Sequence, residues 1–202
     1  MTKAPLNIIL LGDPASGKET QAARLIKKYH LYDFDMGREV RRPAMRARYD
    51  YAKTTRIGHL TPTTVVRGIL RRVIRTTPRN KGILFDGHPK MIGEARFVAR
   101  RLAEYDRSDP FFIYLSIPEN VVARRAKKRR VEVRGKLVKR DDDNERALHN
   151  RRRYYREQIS QVKAFFKKRY RFKTISGVGS RAAVWKRIDV ALRAHLKNSS
   201  LR

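Results

Sequence analysis

Short apolar runs alternate along the chain with longer stretches in which apolar residues recur at helical spacing. The runs occupy residues 7–11, 32–35, 82–85, 111–117 and 172–176. Each run has the length of a strand, and a stretch of helical period follows each of them. This alternation is typical of an α/β protein with a largely parallel sheet. We therefore predict a five-stranded parallel sheet flanked by helices.

The stretches between the strands predict the helices. The clearest begins at Pro62 and places Val66, Ile69, Leu70 and Val73 on one face. The other predicted helices cover residues 18–30, 36–48, 92–105, 118 to about 130, 143–168 and 180–196. No internal repeat or low-complexity linker interrupts the pattern, so 202 residues are expected to form one domain.

Composition excludes several classes of function. The chain has no cysteine, which removes disulfides, thiolate catalysis and cysteine-bound metal. No apolar run approaches the ~20 residues that span a bilayer, and the apolar start, residues 1–11, is expected to be a strand and not a signal peptide. We expect a cytoplasmic protein that binds no membrane and is a monomer.

The charge is the unusual property of the chain. Fifty Lys and Arg against nineteen Asp and Glu give a net charge of +31. Such a surface attracts polyanions, including nucleotides and nucleic acids. Composition alone does not separate a dedicated nucleic-acid role from a general bias toward basic proteins.

The strongest local motif lies between the first strand and the first helix. Residues 12–20 read GDPASGKET, with the Gly-x4-Gly-Lys spacing of a phosphate-binding loop. Backbone N–H groups and the helix dipole favour an anion at a helix start. Lys18 adds a mobile charge that can reach terminal phosphates.

Further motifs make a family resemblance specific. The loop continues as GDPASGKETQ, residues 36–41 read MGREVR, residues 86–90 read DGHPK, and residues 140–143 read RDDD with Arg151 following. In this order, from about residue 5 to 195, the chain resembles the adenylate kinase family of nucleoside monophosphate kinases. The resemblance implies a P-loop NTPase three-layer sandwich that catalyses ATP + AMP = 2 ADP with Mg²⁺ bound to ATP.

The resemblance also implies a division of the domain. The core would comprise residues 1–35, 66–128 and 141–196, with a helical segment at about 36–65 over the monophosphate and a short lid at about 129–140. Residues 197–202 would form a tail. Closure of such a lid excludes water from the donor site.

The donor and catalytic residues are carried over from the matched motifs. Cations would neutralise charge on the transferred phosphoryl group from several directions. The catalytic residues implied are Lys18, Lys90, Arg125, Arg129, Arg140 and Arg151. The implied ATP-binding residues are Gly12, Pro14, Ala15, Ser16, Gly17, Lys18, Glu19, Thr20, Arg125, Arg129 and Gly179.

The resemblance places the acceptor and the metal on other motifs. Asp86, at the end of a buried strand, would hold Mg²⁺ through its waters. The implied monophosphate-binding residues are Met36, Gly37, Arg41, Thr61, Gly87, Lys90, Glu94, Arg140 and Arg151.

Five positions depart from the family pattern: Glu19 for Gly, Met36 for Thr, Arg38 for Asp, Lys90 for Arg and Glu94 for Gln. The last bears on the acceptor base. An amide can donate to adenine N1 and accept from its N6 amine, whereas a carboxylate only accepts. Guanine presents two donors and would suit an ionised Glu better, while a protonated Glu could still read adenine. AMP is the acceptor that the resemblance implies, and GMP or another monophosphate stays an alternative.

A second hypothesis comes from another class. The kinase fold could serve as an RNA- or ribosome-binding protein with weak or no catalysis. Residues 124–156 contain fifteen Lys and Arg, and a second basic cluster covers 167–171. Phosphate contacts of this kind give affinity without sequence information. Arginines in register with the kinase motifs favour the enzyme.

Overall fold

The computed structural model describes residues 5–51, 53–54, 61–128, 131–133, 136–138 and 145–198, and the side chains of 5–51, 53–54, 61–125 and 157–197. Seven strands and eight helices lie in this part of the chain. The strands are β1 (Ile8–Gly12), β2 (Tyr32–Asp35), β3 (Ile83–Asp86), β4 (Phe111–Ser116), β5 (Val131–Val133), β6 (Lys136–Val138) and β7 (Phe172–Ser176). The helices are α1 (Lys18–Tyr29), α2 (Met36–Arg41), α3 (Pro43–Arg46), α4 (Thr63–Thr76), α5 (Ile92–Glu104), α6 (Glu119–Lys128), α7 (Glu145–Arg169) and α8 (Arg181–Asn198).

The five predicted strands form one parallel sheet in the order β2-β3-β1-β4-β7, which confirms the predicted fold class. The central strand β1 pairs with β3 on one side and β4 on the other. The sheet order reverses direction at β1, since β3 and β4 lie on opposite sides of it. The carboxyl ends beside such a point are where open α/β sheets bind ligands.

The core has two layers because side chains of a strand alternate between the faces of the sheet. Ile9 and Leu11 of β1 face a cluster built with α4, α5 and α7. Ile8 and Leu10 face a second cluster built with α1 and α8. All four are at most 1% exposed, so β1 is buried on both faces. The result is the three-layer sandwich that the resemblance implies.

The helix predicted over 36–48 is wrong in one respect, since the structure divides it. Arg42 adopts an extended conformation, φ −60° and ψ 137°, and separates α2 from α3. Pro43 causes the break because it disfavours the α conformation of the preceding residue and has no N–H to donate.

The predicted lid contains a pair of antiparallel strands that the sequence pattern did not predict. β5 pairs with β6, with Val131 opposite Val138 and Val133 opposite Lys136. Three-residue strands with alternating charged positions give a weak sequence signal.

Among the described helices, none combines the length and hydropathy that crossing a membrane requires.

A buried asparagine ties the starts of three strands together. Asn7 is 1% exposed, and its Oδ1 accepts a hydrogen bond from Ile83 N at 3.0 Å. Its Nδ2 donates to Ser108 O at 2.8 Å and Ser108 Oγ at 3.1 Å. One side chain therefore joins β1 to the beginnings of β3 and β4, at the sheet edge opposite the carboxyl ends.

Asn7→Ala should lower the free energy of unfolding by about 2–3 kcal/mol, because the Ile83 N–H is left buried without its acceptor. Denaturant titration gives the value. Asn80→Ala, in an exposed turn, is the matched control and should change stability by less than ~0.5 kcal/mol. Equal effects of the two substitutions would contradict the role of Asn7.

Candidate active site

The predicted donor and metal residues meet at the carboxyl edge of the sheet. Gly12 ends β1, and Asp86 ends the neighbouring β3. Gly87 N donates to Leu10 O at 2.9 Å, which fixes the turn after β3 against β1. The loop of residues 13–17 begins at this edge and leads into α1, so strand ends and a helix start surround one position.

The structure explains the two glycines of the loop, and it places Ala15 in a conformation that usually requires a third. A side chain at Gly12 is excluded, because its Cβ would lie 2.5 Å from Leu115 O. Gly17 has φ +90°, which glycine adopts readily. Ala15, between Pro14 and the buried Ser16, has φ +58° although it carries a Cβ. This left-handed conformation costs a non-glycine residue roughly 1–2 kcal/mol.

Lys18 is the first residue of α1 and folds back over the loop. Its Nζ donates to Gly12 O at 2.7 Å and to Asp13 O at 3.1 Å. The ammonium group is thereby held at the mouth of the loop by carbonyl oxygens that a phosphate can replace. Glu19 is exposed in the first turn of α1, and Thr20 follows it, partly buried.

Arg125 of α6 also reaches the loop. Its Nη1 donates to Gly177 O at 3.2 Å and lies 3.4 Å from Ala15 O. Gly177 packs against the loop, since a Cβ there would lie 3.1 Å from Ser16 O. Gly179, the residue named from the motif, follows with φ +103° in the same turn.

Three predicted arginines lie beyond what the structure describes. Arg129 and Arg140 fall outside the described residues. Arg151 belongs to α7, but its side chain is outside the described part. Their roles stay predictions from the resemblance.

Asp86 sits among carboxylates. The pKa of the Asp86 carboxyl is raised to about 7; burial is the largest cause, Lys18 opposes it, and the charges of Asp35, Glu19 and Asp33 act in the same direction as burial. Asp35 is its direct neighbour in the β2–β3 register. Among the described residues no three acidic or histidine side chains form a group that could enclose a metal by themselves, but Mg²⁺ is usually held by one or two carboxylates together with waters and substrate phosphates. A divalent cation that enters with phosphates would relieve the repulsion on Asp86, so this residue fits the metal that the resemblance implies.

Residues of the predicted acceptor side begin α2. Met36 is 7% exposed within the core cluster of α4 and α5, and a Cβ at Gly37 would lie 3.0 Å from the Arg41 guanidinium. Thr61 precedes α4 and is partly buried. Arg38, which replaces an Asp, instead donates to the Asp33 side chain at 2.8 Å. The positive charge that Arg38 places in this motif is therefore paired with the carboxylate of Asp33.

Glu94 is buried at the start of α5. Its Oε2 accepts from Lys90 N at 3.0 Å and Met91 N at 3.2 Å. His88 Nε2 lies 3.5 Å from the same oxygen, and both side chains are at most 4% exposed. Burial lowers the pKa of His88, against the opposing charge of Glu94. Glu94 thus caps its helix while joining Lys90 to the turn after β3.

Two residues of this site were missed by sequence reasoning. Asp13 binds the end of β4 with both carboxylate oxygens, and His88 contacts Glu94. Both stand within matched motifs, one inside the loop and one inside DGHPK, at positions where the resemblance gave no reason to single them out. The available signal for His88 was a titratable residue shortly after a buried strand, within the same motif as Lys90.

Comparison with known proteins agrees with this geometry. The family model described as "Adenylate kinase" matches residues 10–171. That range includes the phosphate loop, the motifs predicted to bind the donor and the acceptor, and strands β5 and β6.

Curated relatives match most of the chain. A protein named adenylate kinase from Azobacteroides pseudotrichonymphae is 33% identical over 187 residues, 91% of this chain and 95% of its own length. One from Bacteroides thetaiotaomicron is 31% identical over 87% of this chain and 92% of its own. One from Bacteroides fragilis is 30% identical over 93% and 98%. With its parallel sheet, phosphate loop and matched length, the chain belongs to the adenylate kinase family of nucleotide phosphotransferases.

Proposed function

We propose that this enzyme transfers the terminal phosphoryl group of ATP, bound as its Mg²⁺ complex, to AMP. The observation that carries the proposal is the position of Lys18, whose Nζ lies over the loop carbonyls of Gly12 and Asp13. The Lys18 ammonium can exchange these two carbonyl contacts for phosphate oxygens, whose developing negative charge it would then stabilise. The curated relatives, named adenylate kinase, support the reaction.

Charge is placed on both sides of the transferred group in this proposal. Lys18 and Arg125 reach the donor loop, while Lys90 and Arg41 lie on the acceptor side. In-line phosphoryl transfer is catalysed chiefly by positioning and by neutralising charge on the phosphoryl oxygens. Arg129, Arg140 and Arg151 would complete the set.

Mg²⁺ would enter with ATP and be oriented by Asp86 through water. The bound ion would supply neutralisation of charge on the donor phosphates. Asp86 must be ionised to do this, and the raised pKa of its carboxyl means that the ion and the proton compete. We also propose that residues 36–65 cover the acceptor, that 129–140 close over the donor, and that the protein works as a monomer.

Glu94 decides the acceptor base in this proposal. The three contacts described above all involve Oε2, so the other carboxylate oxygen is the atom to which a base amine would donate. It can accept from the N6 amine of AMP, but it offers N1 no donor while ionised. GMP, with two donors on its base edge, is the alternative acceptor.

A cluster of exposed arginines supports nucleic-acid binding as a second, additional property. Arg67, Arg71 and Arg75 form one row on α4, and Arg96 and Arg100 form another on α5. The rows meet where the Arg67 guanidinium lies 5.7 Å from the Phe97 ring centre. Like charges four residues apart destabilise a helix by a few tenths of a kcal/mol per pair. We call these five side chains the arginine face and propose that it binds polyanions without sequence preference.

Lys18→Ala should lower turnover at least ~100-fold, because it removes a preorganised charge at the phosphoryl oxygens. The assay is ADP formation from ATP·Mg²⁺ with AMP, GMP, CMP and UMP in turn. Lys27→Ala, exposed later on α1, is the control and should keep wild-type turnover. Absence of ADP with every monophosphate in the wild type would overturn the proposed function.

Glu94→Gln should raise the ratio of kcat/KM for AMP over GMP. The amide oxygen can still cap α5, while the amide N–H supplies the donor that adenine N1 lacks. Glu104→Gln makes the same change at the exposed end of α5 and should leave the ratio unchanged. A constant ratio in Glu94→Gln would exclude this residue from base recognition.

The pKa of Asp86 predicts a pH-dependent stability. Its native pKa of about 7 lies above the ordinary value of 3.8, so the protonated form stabilises the fold and this stabilisation is lost as pH rises from about 4 through 7. Asp86→Asn should therefore gain stability relative to wild type between pH 5 and 8, on the order of 2 kcal/mol. Thermal unfolding across this range measures it. Asp106→Asn, on an exposed turn, should show no such trend.

RNA binding should be weak and dependent on salt. We expect a Kd near ~10⁻⁴–10⁻⁶ M at physiological salt, with log affinity falling linearly with log salt. Changing the arginine face to Gln should weaken binding more than changing five dispersed exposed cations, namely Lys27, Lys81, Lys173, Lys186 and Lys197. A complex that resists competition by bulk tRNA at ~150 mM salt would contradict this and favour a dedicated RNA partner.

A further inference from the structure

The carboxylate of Asp13 is engaged on both oxygens inside the phosphate loop. Oδ1 accepts from the Tyr114 hydroxyl at 2.6 Å, and Oδ2 accepts from Ile117 N at 2.8 Å. The backbone N–H of Asp13 donates to Leu115 O at 2.9 Å. Three hydrogen bonds from one residue therefore attach the loop to the end of β4.

The attachment is rigid at its far end. Tyr114 and Leu115 belong to β4, a buried inner strand paired with β1 and β7, and Tyr114 is 5% exposed. The Lys163 ammonium of α7 lies 4.2 Å from the Tyr114 ring centre, over its face. The hydroxyl that holds Asp13 is thus fixed from the sheet and from a neighbouring helix.

The loop needs such an attachment because its conformation is strained. Ala15 has φ +58°, and a strained backbone persists only where its surroundings impose it. Asp13 imposes the conformation from the β4 side. On the other side, Arg125 Nη1 donates to Gly177 O at 3.2 Å and approaches Ala15 O at 3.4 Å.

Asp13 also contacts Lys18 and Ser16 through its carbonyl oxygen. Asp13 O accepts from Lys18 Nζ at 3.1 Å and from Ser16 N at 3.1 Å. Ser16 Oγ is buried and has no partner among the described residues. Displacement of the Asp13 peptide would therefore move the ammonium group and the turn of the loop together.

A carboxylate in a phosphate-binding loop would otherwise oppose an anionic ligand. Here both oxygens accept hydrogen bonds from β4 and the residue that follows it, and such bonds to a charged group are stronger than neutral ones. Two effects of Asp13 on donor binding thus have opposite signs, since its charge repels phosphate while its hydrogen bonds hold the loop in shape.

We propose that Asp13 is a positioning residue for the donor nucleotide, holding the phosphate loop in its binding conformation through Tyr114 and the Ile117 N–H. The proposal rests on the proposed function, because it assigns the donor phosphates to this loop. Its own measurement is direct binding of ATP, which requires no turnover.

Tyr114→Phe removes only the hydroxyl and should raise the Kd and KM for ATP about tenfold, the scale of one hydrogen bond to a charged group. The KM for AMP should stay within about twofold, because the loop faces the donor. Tyr105→Phe, in the same core cluster, is the matched control and should change neither constant. A rise of both KM values by the same factor, or no rise, would overturn the proposal.

Asp13→Asn distinguishes the effect of the Asp13 charge on ATP binding from the effect of its hydrogen bonds on the loop. The amide removes the negative charge, so a purely electrostatic role predicts tighter ATP binding. Positioning predicts weaker binding by about fivefold, because the amide can keep both contacts, to Ile117 N and to the Tyr114 hydroxyl, only as weaker neutral hydrogen bonds. Calorimetric titration with ATP·Mg²⁺, at a temperature where each variant is folded, decides between them, and tighter binding would refute the proposal.

Ala15→Gly tests the link with strain. Glycine adopts φ +58° without steric cost, so the loop needs less support when Ala15 is replaced. Tyr114→Phe combined with Ala15→Gly should recover at least about threefold of the lost ATP affinity, and equal or weaker binding would contradict the proposal. Failure of the wild type to phosphorylate any monophosphate, with ATP binding intact, would reject the proposed function and leave this proposal standing.

Discussion

The pairing of β1 between β3 and β4 is the interaction on which the rest of the site depends. It brings the end of β1 level with Asp86 on one side and with Leu115 on the other. The loop after Gly12 then has a rigid strand end beside each flank. Asn7 fixes the opposite edge of the same three strands by hydrogen bonds to Ile83 N and Ser108. Register at one edge therefore sets the geometry at the other.

The local charge of the site differs from that of the whole chain. The protein carries +31, yet Asp33, Asp35, Asp86 and Glu19 all act on the carboxyl edge of the sheet. Arg38 pairs with the acid at 33, and Lys18 partly offsets the others. An excess of carboxylate at one point in a basic protein suits a bound divalent cation, while the surrounding cations suit the phosphates that accompany it.

Residues that look independent in the sequence form contacts in space. Glu94 replaces an amide and His88 stands inside the DGHPK motif, and their side chains lie 3.5 Å apart. Arg38 and Asp33 form a second pair, with 2.8 Å between Nη1 and Oδ2. Asp13 and Tyr114 form a third, linking the loop to β4. Arg38 and Tyr114 donate hydrogen bonds to the carboxylates of Asp33 and Asp13, while His88 is buried beside the carboxylate of Glu94.

Sequence by itself determined the strand and helix pattern, because strands with two buried faces and helices with one apolar face leave periodic signals. It also located the loop and Lys18, whose spacing is a local property of the chain. Only tertiary structure decided which acid lies beside Asp86, that Glu94 is buried against His88, and that Asp13 is bound to β4. These contacts depend on strand order or on burial, and some join residues far apart in sequence, for instance Asp13 with Tyr114. The break at Pro43 was readable locally but was overridden in the prediction by a continuous basic pattern.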